Sequence, residues 1–329
     1  SSERAPLPVV RANQAELSAH AGRLRAIDVA SGGSVKMKVY EPGKLVAPFE
    51  ILESVSKGKV NAGYSISGYW EGKIPGASIF STVPFGPEAG EFLAWMWYGN
   101  GRKLYQKMYD DAGYNVHVIP CGIIAPETSG WFASPINSID DLKGLKMRFY
   151  GLGGKAVQKL GVSVSLLPGG EIFPALEKKA IDATEFSMPA IDARLGFYKV
   201  VKHNYFPGWH QQATLFELLI NKDVWNGLSD QQKMIIEMMC VAATADSFAY
   251  TEAIQGQVIK ENVEQRGVTL HYWSDDMLDA FKKSWQEVAT ELSAQSPMFK
   301  EAWDDLSAFR ANYSFWQSYG FLPRPKPVK

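Results

Sequence analysis

At 329 residues, 46% of them apolar and 21% charged, the chain is long enough for two domains, or one large one, around a substantial core. Its composition is that of an ordinary globular protein. A formal net charge of −1 excludes broad affinity for nucleic acid or anionic membranes, and no run approaches the ~18 consecutive apolar residues of a membrane span. The opening SSERAPLPVV has neither a basic n-region nor an apolar h-region, which suits a chain whose leader has been removed as well as a cytosolic one. Cys121 and Cys240 lack CxxC spacing. They are too few for a metal cluster, and their spacing leaves both pairing and redox compartment open.

Residues from about Glu16 to Ala30 suit a helix, and SGGSVKMKVYEPGKL gives a turn and a strand with Val35, Met37 and Val39 on one face. From Pro48 the pattern reads as a helix, a glycine stop and a buried strand, the first βαβ unit. Ser67, Tyr69 and Trp70 stand at the end of that strand, where open α/β sheets bind ligands. A helix carrying Phe92, Trp95 and Met96 follows the loop at Pro84–Pro87. A second helix ends near Gly113, and VHVIPCGIIA is a continuous apolar strand. Strands alternating with helices predict a mainly parallel sheet.

PETSGWFASPINS is polar and irregular, suited to a crossing between domains, and SIDDLKG reads as a short helix capped by Ser138 with Asp141. A second βαβ unit runs from Leu142 to Met188. Its first strand, LKMRF, ends on Arg148. Beyond it the pattern predicts a helix over Pro189 to Tyr198 and a strand centred on Phe216 to Ile220. A helix from Ser229 to about Gln265, a short strand at Val268 to Trp273 and a run of aromatic-bearing helix from Asp275 to Gln317 complete the chain.

The case for catalysis is thin. His20, His117, His203, His210 and His271 show no HExxH or HxH spacing, and there is no GxSxG. The glycine turn Gly151-Leu-Gly-Gly-Lys155 invites phosphate. Phe149 spoils the Walker spacing, however, and Ala156 spoils GxGxxG. Arg148 carries more chemistry. Its planar fork matches a carboxylate bidentately and stays charged at physiological pH, and a strand end would aim it into the ligand crevice.

PCGIIAPETSGWF, SIDDLKGLKMRFYGLGGKAVQKLG and GGEIFPALEKKAIDATEF resemble the solute-binding proteins of TRAP (tripartite ATP-independent periplasmic) transporters, of the DctP type. KGKVNAGYSISGYWEGK and YFPGWHQQATLFELLINKDVW resemble their 2-oxo acid branch. The resemblance spans roughly Gly32 to Leu292. It implies two hinged α/β lobes of periplasmic solute-binding type, a long helix packed across them and a helical C-terminus. The implied divisions are 32–126 with 214–250 for lobe I, 127–213 with 251–274 for lobe II, and 275–329 for a C-terminal segment that is a possible homodimerisation element.

By the same resemblance Arg148 holds the solute carboxylate. Glu127, Glu185, the backbone of Phe186 and Gln211 hold a cation. Tyr69 contacts the solute, and Trp70 and Phe186 help exclude water. The partners implied are a small organic acid, pyruvate foremost, and the membrane permease subunits, with a periplasmic location for the mature chain. The family often has glutamine where this chain has Glu127. With a solute carboxylate, Glu185 and Arg148, a glutamine site is neutral with a monovalent ion, whereas Glu127 calls for a divalent one. All-oxygen donors then point to Ca²⁺, with Na⁺ as the alternative. Other readings are a 2-hydroxy acid such as lactate at the same site, an ABC-type binding protein, or a metal-dependent enzyme acting on 2-oxo acids with His210 as base.

Overall fold

The computed structural model describes residues 7–11 and 26–327. Of the helix expected over Glu16 to Ala30, residues 26–30 are helical and 12–25 lie outside the described residues, as does His20. Two sheets organise the rest. The first has strand order β2-β1-β3-β10-β4, with β1 at Leu7–Arg11, β2 at Met37–Tyr40, β3 at Ala62–Ser65, β4 at Val116–Ile124 and β10 at Thr214–Asn221. The second has order β11-β9-β5-β8-β6-β7. Its strands are β5 at Gly130–Phe132, β6 at Lys146–Arg148, β7 at Ser163–Ser165, β8 at Ala183–Thr184, β9 at His203–Phe206 and β11 at Thr269–Tyr272.

Both sheets are mixed: among the described residues five of the nine strand pairings are parallel, in line with the expectation, and four are antiparallel. β10 runs antiparallel to both β3 and β4, and β5 antiparallel to both β8 and β9. The cause is topological. The chain leaves the first sheet after β4 to enter the second as β5, and returns from β9 as β10. Each crossing strand therefore lies against neighbours built by βαβ winding. Periodicity does not find β5 or β9, because both are short and embedded in glycine- and proline-bearing segments.

The long helix Asp230–Gln265 opens on a capping box, Ser229 with Gln232, at the predicted start. It is stitched first to β4 and then to the second sheet's helices. Ser247 Oγ accepts from the Ile123 N–H at 3.0 Å and Thr251 Oγ1 from that of Ala125 at 3.0 Å. One turn on, Gln255 Oε1 accepts from the Ala190 N–H at 2.9 Å. Cys240 on this helix forms a disulfide with Cys121 on β4. None of the described helices is long and apolar enough to cross a membrane.

The expected C-terminal run is two helices, Asp275–Gln295 and Pro297–Gly320. Pro297 cannot donate to the preceding turn, and Ser296 caps the new helix by accepting from the Phe299 N–H at 3.1 Å. The first helix lies over Gly151–Lys159. The second lies over the helices Ala89–Tyr98 and Gly101–Asp111, where Trp95 Nε1 donates to Asp305 at 2.8 Å. In this chain both helices fold back onto their own body.

Candidate functional site

The site forms where the two crossings meet the end of β6. β6 and β8 are parallel neighbours with Arg148 opposite Thr184, so Arg148 and Glu185 emerge together at the carboxyl edge of the second sheet. Arg148 is 1% exposed. Its Nη1 donates to the Glu185 carbonyl at 3.0 Å and to Glu185 Oε1 at 2.9 Å, and its Nε to the Leu167 carbonyl at 3.0 Å. The guanidinium carbon lies 5.1 Å from the centroid of the Phe186 ring, within cation–π range. The Tyr150 N–H also donates to Glu185 Oε1.

Burial alone would raise the Glu185 carboxyl. The Arg148 charge, His210 and the Tyr150 N–H outweigh it and hold the group below the usual carboxylate range. Glu185 thus stays ionised, with Oε1 committed to Arg148 and Tyr150.

Its other oxygen faces the crossings. Glu185 Oε2 lies 3.5 Å from His210 Nε2, and Glu127 Oε2 lies 3.7 Å from the same nitrogen. The three residues are buried and offer ligand atoms within 4.8 Å of one another. Glu127 comes from the outgoing crossing, and His210 and Gln211 from the returning one. The two segments are hydrogen-bonded directly, the Glu127 N–H donating to the Gln211 carbonyl at 3.2 Å. Gln211 Nε2 donates to Glu127 Oε1 at 3.0 Å and to Thr214 Oγ1 at 2.7 Å.

Packing is close enough that a Cβ on Gly208 would stand 2.1 Å from the Glu127 carbonyl oxygen. Gly208→Ala is therefore expected to push the crossings apart and weaken solute binding about tenfold or more. Titration calorimetry checks this; wild-type affinity in the variant would show that the spacing does not matter.

The glycine turn after β6 has a different reason from phosphate. A Cβ on Gly153 would stand 2.7 Å from the Phe149 ring and 2.8 Å from the His210 Cβ, so this helix start is glycine because those two side chains occupy the space. The His210 ring sits edge-on to Phe149, centroids 5.1 Å apart. Asp192 ties the neighbouring backbones together. It accepts from the Ser187 N–H at 2.9 Å, Trp131 Nε1 at 2.9 Å and Thr128 Oγ1 at 3.2 Å, and the Thr128 N–H donates to the Ser187 carbonyl at 3.1 Å.

On the first sheet, Tyr69 follows β3 and meets the Tyr150 ring edge-on at 5.4 Å. Tyr69 is thereby one ring away from the segment that carries Arg148. Trp70 is tethered elsewhere: its Nε1 donates to Glu217 Oε1 at 3.0 Å. Glu217 also accepts from Ser65 Oγ, Tyr105 Oη and Tyr109 Oη. Burial raises this carboxyl against four donors that would lower it.

His210, Tyr150, Asp192 and Glu217 have no sequence motif that announces them. His210 follows Pro207-Gly208-Trp209, and only the meeting of two crossings brings it to Glu127 and Glu185.

The residues present fit a cation. Two buried carboxylates and an imidazole converge, and neither Glu185 Oε2 nor Gln211 Oε1 has a hydrogen-bond partner among the described residues. Such a set would otherwise carry a severe desolvation cost.

Two sheets joined by crossings, spanned by one long helix and enclosing a buried arginine–carboxylate site, define a periplasmic solute-binding protein. The chain belongs to the DctP family, bacterial extracellular solute-binding protein family 7, whose model matches residues 24–296; it is a TRAP-type binding protein and not an enzyme. It is 34% identical to a monocarboxylate 2-oxoacid-binding periplasmic protein of Nostoc sp. over 87% of this chain and 78% of that protein.

Two solved structures superpose closely. A TRAP periplasmic solute-binding protein from Colwellia psychrerythraea, with bound calcium and pyruvate, gives a TM-score of 0.91 at 28% identity, covering 96% of this chain and 97% of that one. One from Pseudoalteromonas atlantica, with bound sodium and pyruvate, gives 0.91 at 26% identity, again covering 96% and 97%.

Proposed function

We propose that the protein captures a small 2-oxo monocarboxylate, pyruvate foremost, together with a divalent cation, and delivers it to the membrane subunits of a TRAP transporter. The observation that carries this reading is the shared Glu185 carboxylate, one oxygen on Arg148 and the other in the Glu127–His210 group. An anion-binding half and a cation-binding half therefore abut.

In this reading the solute carboxylate docks on Arg148, whose Nη2 makes no hydrogen bond among the described residues. Arg148 is held for that task by the Leu167 and Glu185 carbonyls. Tyr69 and Phe186 close the site against water. Gln211 orients Glu127 and keeps its Oε1 turned to the site. Trp70 supports Tyr69 from behind, anchored on Glu217.

The cation, when bound, supplies positive charge for the carboxylates and for the oxygens of the chelating solute. Glu127 and Glu185 with one solute carboxylate and Arg148 leave two negative charges for it to offset, which favours a divalent ion such as Ca²⁺ over Na⁺. Residues 32–126 with 214–250 form one lobe and 127–213 with 251–274 the other. The solute, touching both, draws them closed. The same reading includes a homodimer through the C-terminal segment, where Phe315, Trp316, Tyr319 and Leu322 are exposed. Light scattering is expected to give twice the mass of the chain, and a monomer at all concentrations would remove that element.

The test is a thermal-shift titration with pyruvate, lactate and longer 2-oxo acids, each with and without chelator. A specific solute at a hundred times its Kd stabilises by about 2.7 kcal/mol. The gain from pyruvate is expected to vanish in EDTA and return with Ca²⁺. If chelator leaves it unchanged, the cation has no part in capture, and if pyruvate gives no shift with any cation the solute assignment is wrong.

A further inference from the structure

Tyr150 stands two residues past Arg148, beside the second sheet, yet its ring is committed to the first sheet's side of the molecule. It is 3% exposed. Its backbone N–H donates to Glu185 Oε1, while its hydroxyl lies 2.9 Å from Ser81 Oγ. Ser81 gives its own proton to the Ser78 carbonyl at 3.0 Å, so the tyrosine O–H is the donor between the two. The receiving segment is firmly held. The Ser81 carbonyl accepts from the Leu215 N–H on β10 at 2.9 Å, and the Glu71 carboxylate accepts from the Gly76 and Ser78 N–H groups at 3.0 and 2.7 Å.

The slot that admits the ring depends on one absent methyl. A Cβ on Gly68 would stand 1.8 Å from Tyr150 Oη and 2.3 Å from its Cζ, far inside van der Waals contact. Gly68 lies in the short turn Ser67–Trp70 that follows β3, and it is not among the positive-φ glycines. The backbone there does not ask for glycine; the tyrosine does. Tyr69 walls the slot edge-on, ring centroids 5.4 Å apart. One residue thus joins the Arg148–Glu185 group through its backbone and grips the opposite side through its ring.

We propose that Tyr150 is the positioning residue that turns solute capture into closure: as the two lobes meet, its ring enters the slot at Gly68 and latches on Ser81. The proposal rests on the capture reading given above and adds to it a residue that holds neither the solute nor the ion.

The test uses the full chain with pyruvate and Ca²⁺, calorimetry reading affinity and small-angle scattering reading closure. Apparent affinity scales with the population of the competent, closed form. Gly68→Ala, which fills the slot, is therefore expected to weaken pyruvate binding at least ~10-fold and to shift the solute-induced contraction to correspondingly higher pyruvate. Tyr150→Ala, which removes the ring, is expected to weaken binding as well. With both changes the added methyl meets no ring, so the double variant is expected to bind no more weakly than Tyr150→Ala alone. Losses that simply multiply would overturn the proposal.

The unliganded melting temperature of Gly68→Ala is expected within ~2 °C of the wild type, because methyl and ring meet only on closure. A larger fall would mark the contact as ordinary packing and sink the latch. Tyr150→Phe keeps the packing and loses only the donor to Ser81; it is expected to bind ~2- to 10-fold more weakly. It decides even if the other variants do not fold, since wild-type affinity in it removes the latch. Wild-type affinity and contraction in Gly68→Ala remove this inference alone, whereas a wild-type protein that neither binds pyruvate nor contracts with Ca²⁺ or Na⁺ removes the functional reading beneath it.

Discussion

Arg148→Ala is expected to abolish measurable pyruvate binding and to lower stability as well. The guanidinium is buried and bound to Glu185 and to two carbonyls. Truncating one partner of a buried, hydrogen-bonded charge pair costs about 2–5 kcal/mol of binding, or roughly 30- to 5,000-fold in Kd. The fold suffers too, because Glu185 is left as an uncompensated buried anion, at about 3–5 kcal/mol.

Arg148→Lys separates the two effects. A lysine keeps the charge beside Glu185 and so most of the stability. It cannot hold the Leu167 and Glu185 carbonyls and still present a planar fork to a carboxylate, so affinity is expected to fall while the melting temperature largely recovers. Calorimetry with pyruvate and cation, run well below each melting point, reads the first effect, and thermal unfolding reads the second. An Arg148→Ala protein that binds pyruvate like the wild type would end the assignment.

The second large effect is expected away from the site. Cys121 and Cys240 close a loop with a sequence separation of 119 residues. The chain-entropy relation puts a bridge of that span at about 4–5 kcal/mol, or about 7 °C in melting temperature for a chain of this size. The double Cys→Ala variant should therefore melt markedly lower and bind pyruvate with little change at low temperature, since the bridge joins β4 of the first sheet to the long helix whereas Arg148 and Glu185 stand at the edge of the second sheet. Dithiothreitol should mimic the variant in the wild type. An unchanged melting temperature after verified reduction would mean that the contacts of the long helix on β4, not the bridge, hold these elements together.

How far the sequence alone reaches depends on the distance over which each feature is decided. Arg148 was readable because its strand, LKMR, ends at the sheet edge, which βαβ winding arranges locally; Glu185 came from the family resemblance, and the structure shows that the parallel neighbour β8 brings it to the same edge. The capped starts at Ser138 and Ser229 were readable for the same reason. The antiparallel course of β5 and β10 was not, because it follows from the chain crossing twice between sheets. His210 entered the sequence reading only as the base of the alternative enzyme, and its place beside Glu127 and Glu185 was not legible on the same ground. It meets Glu127 across two segments far apart in sequence, and no periodicity or short motif records that meeting. Glu127 itself stood out only through family resemblance, as a carboxylate at a position often occupied by an amide. The break at Ser296–Pro297 was legible in principle, since proline at that point ends one helix and suits the first turn of the next.

One carboxylate serves both halves of the site, and that has a thermodynamic consequence. Because Glu185 lends one oxygen to Arg148 and the other to the cation group, charge drawn toward either side is felt by the other. Whatever factor the ion contributes to solute affinity, the solute must return to the ion, since binding free energies are reciprocal. On the function proposed above, such a protein would respond to the product of two concentrations: with either species scarce the chain would stay largely unliganded, and uptake would be gated by the ion in its surroundings as much as by the acid it carries.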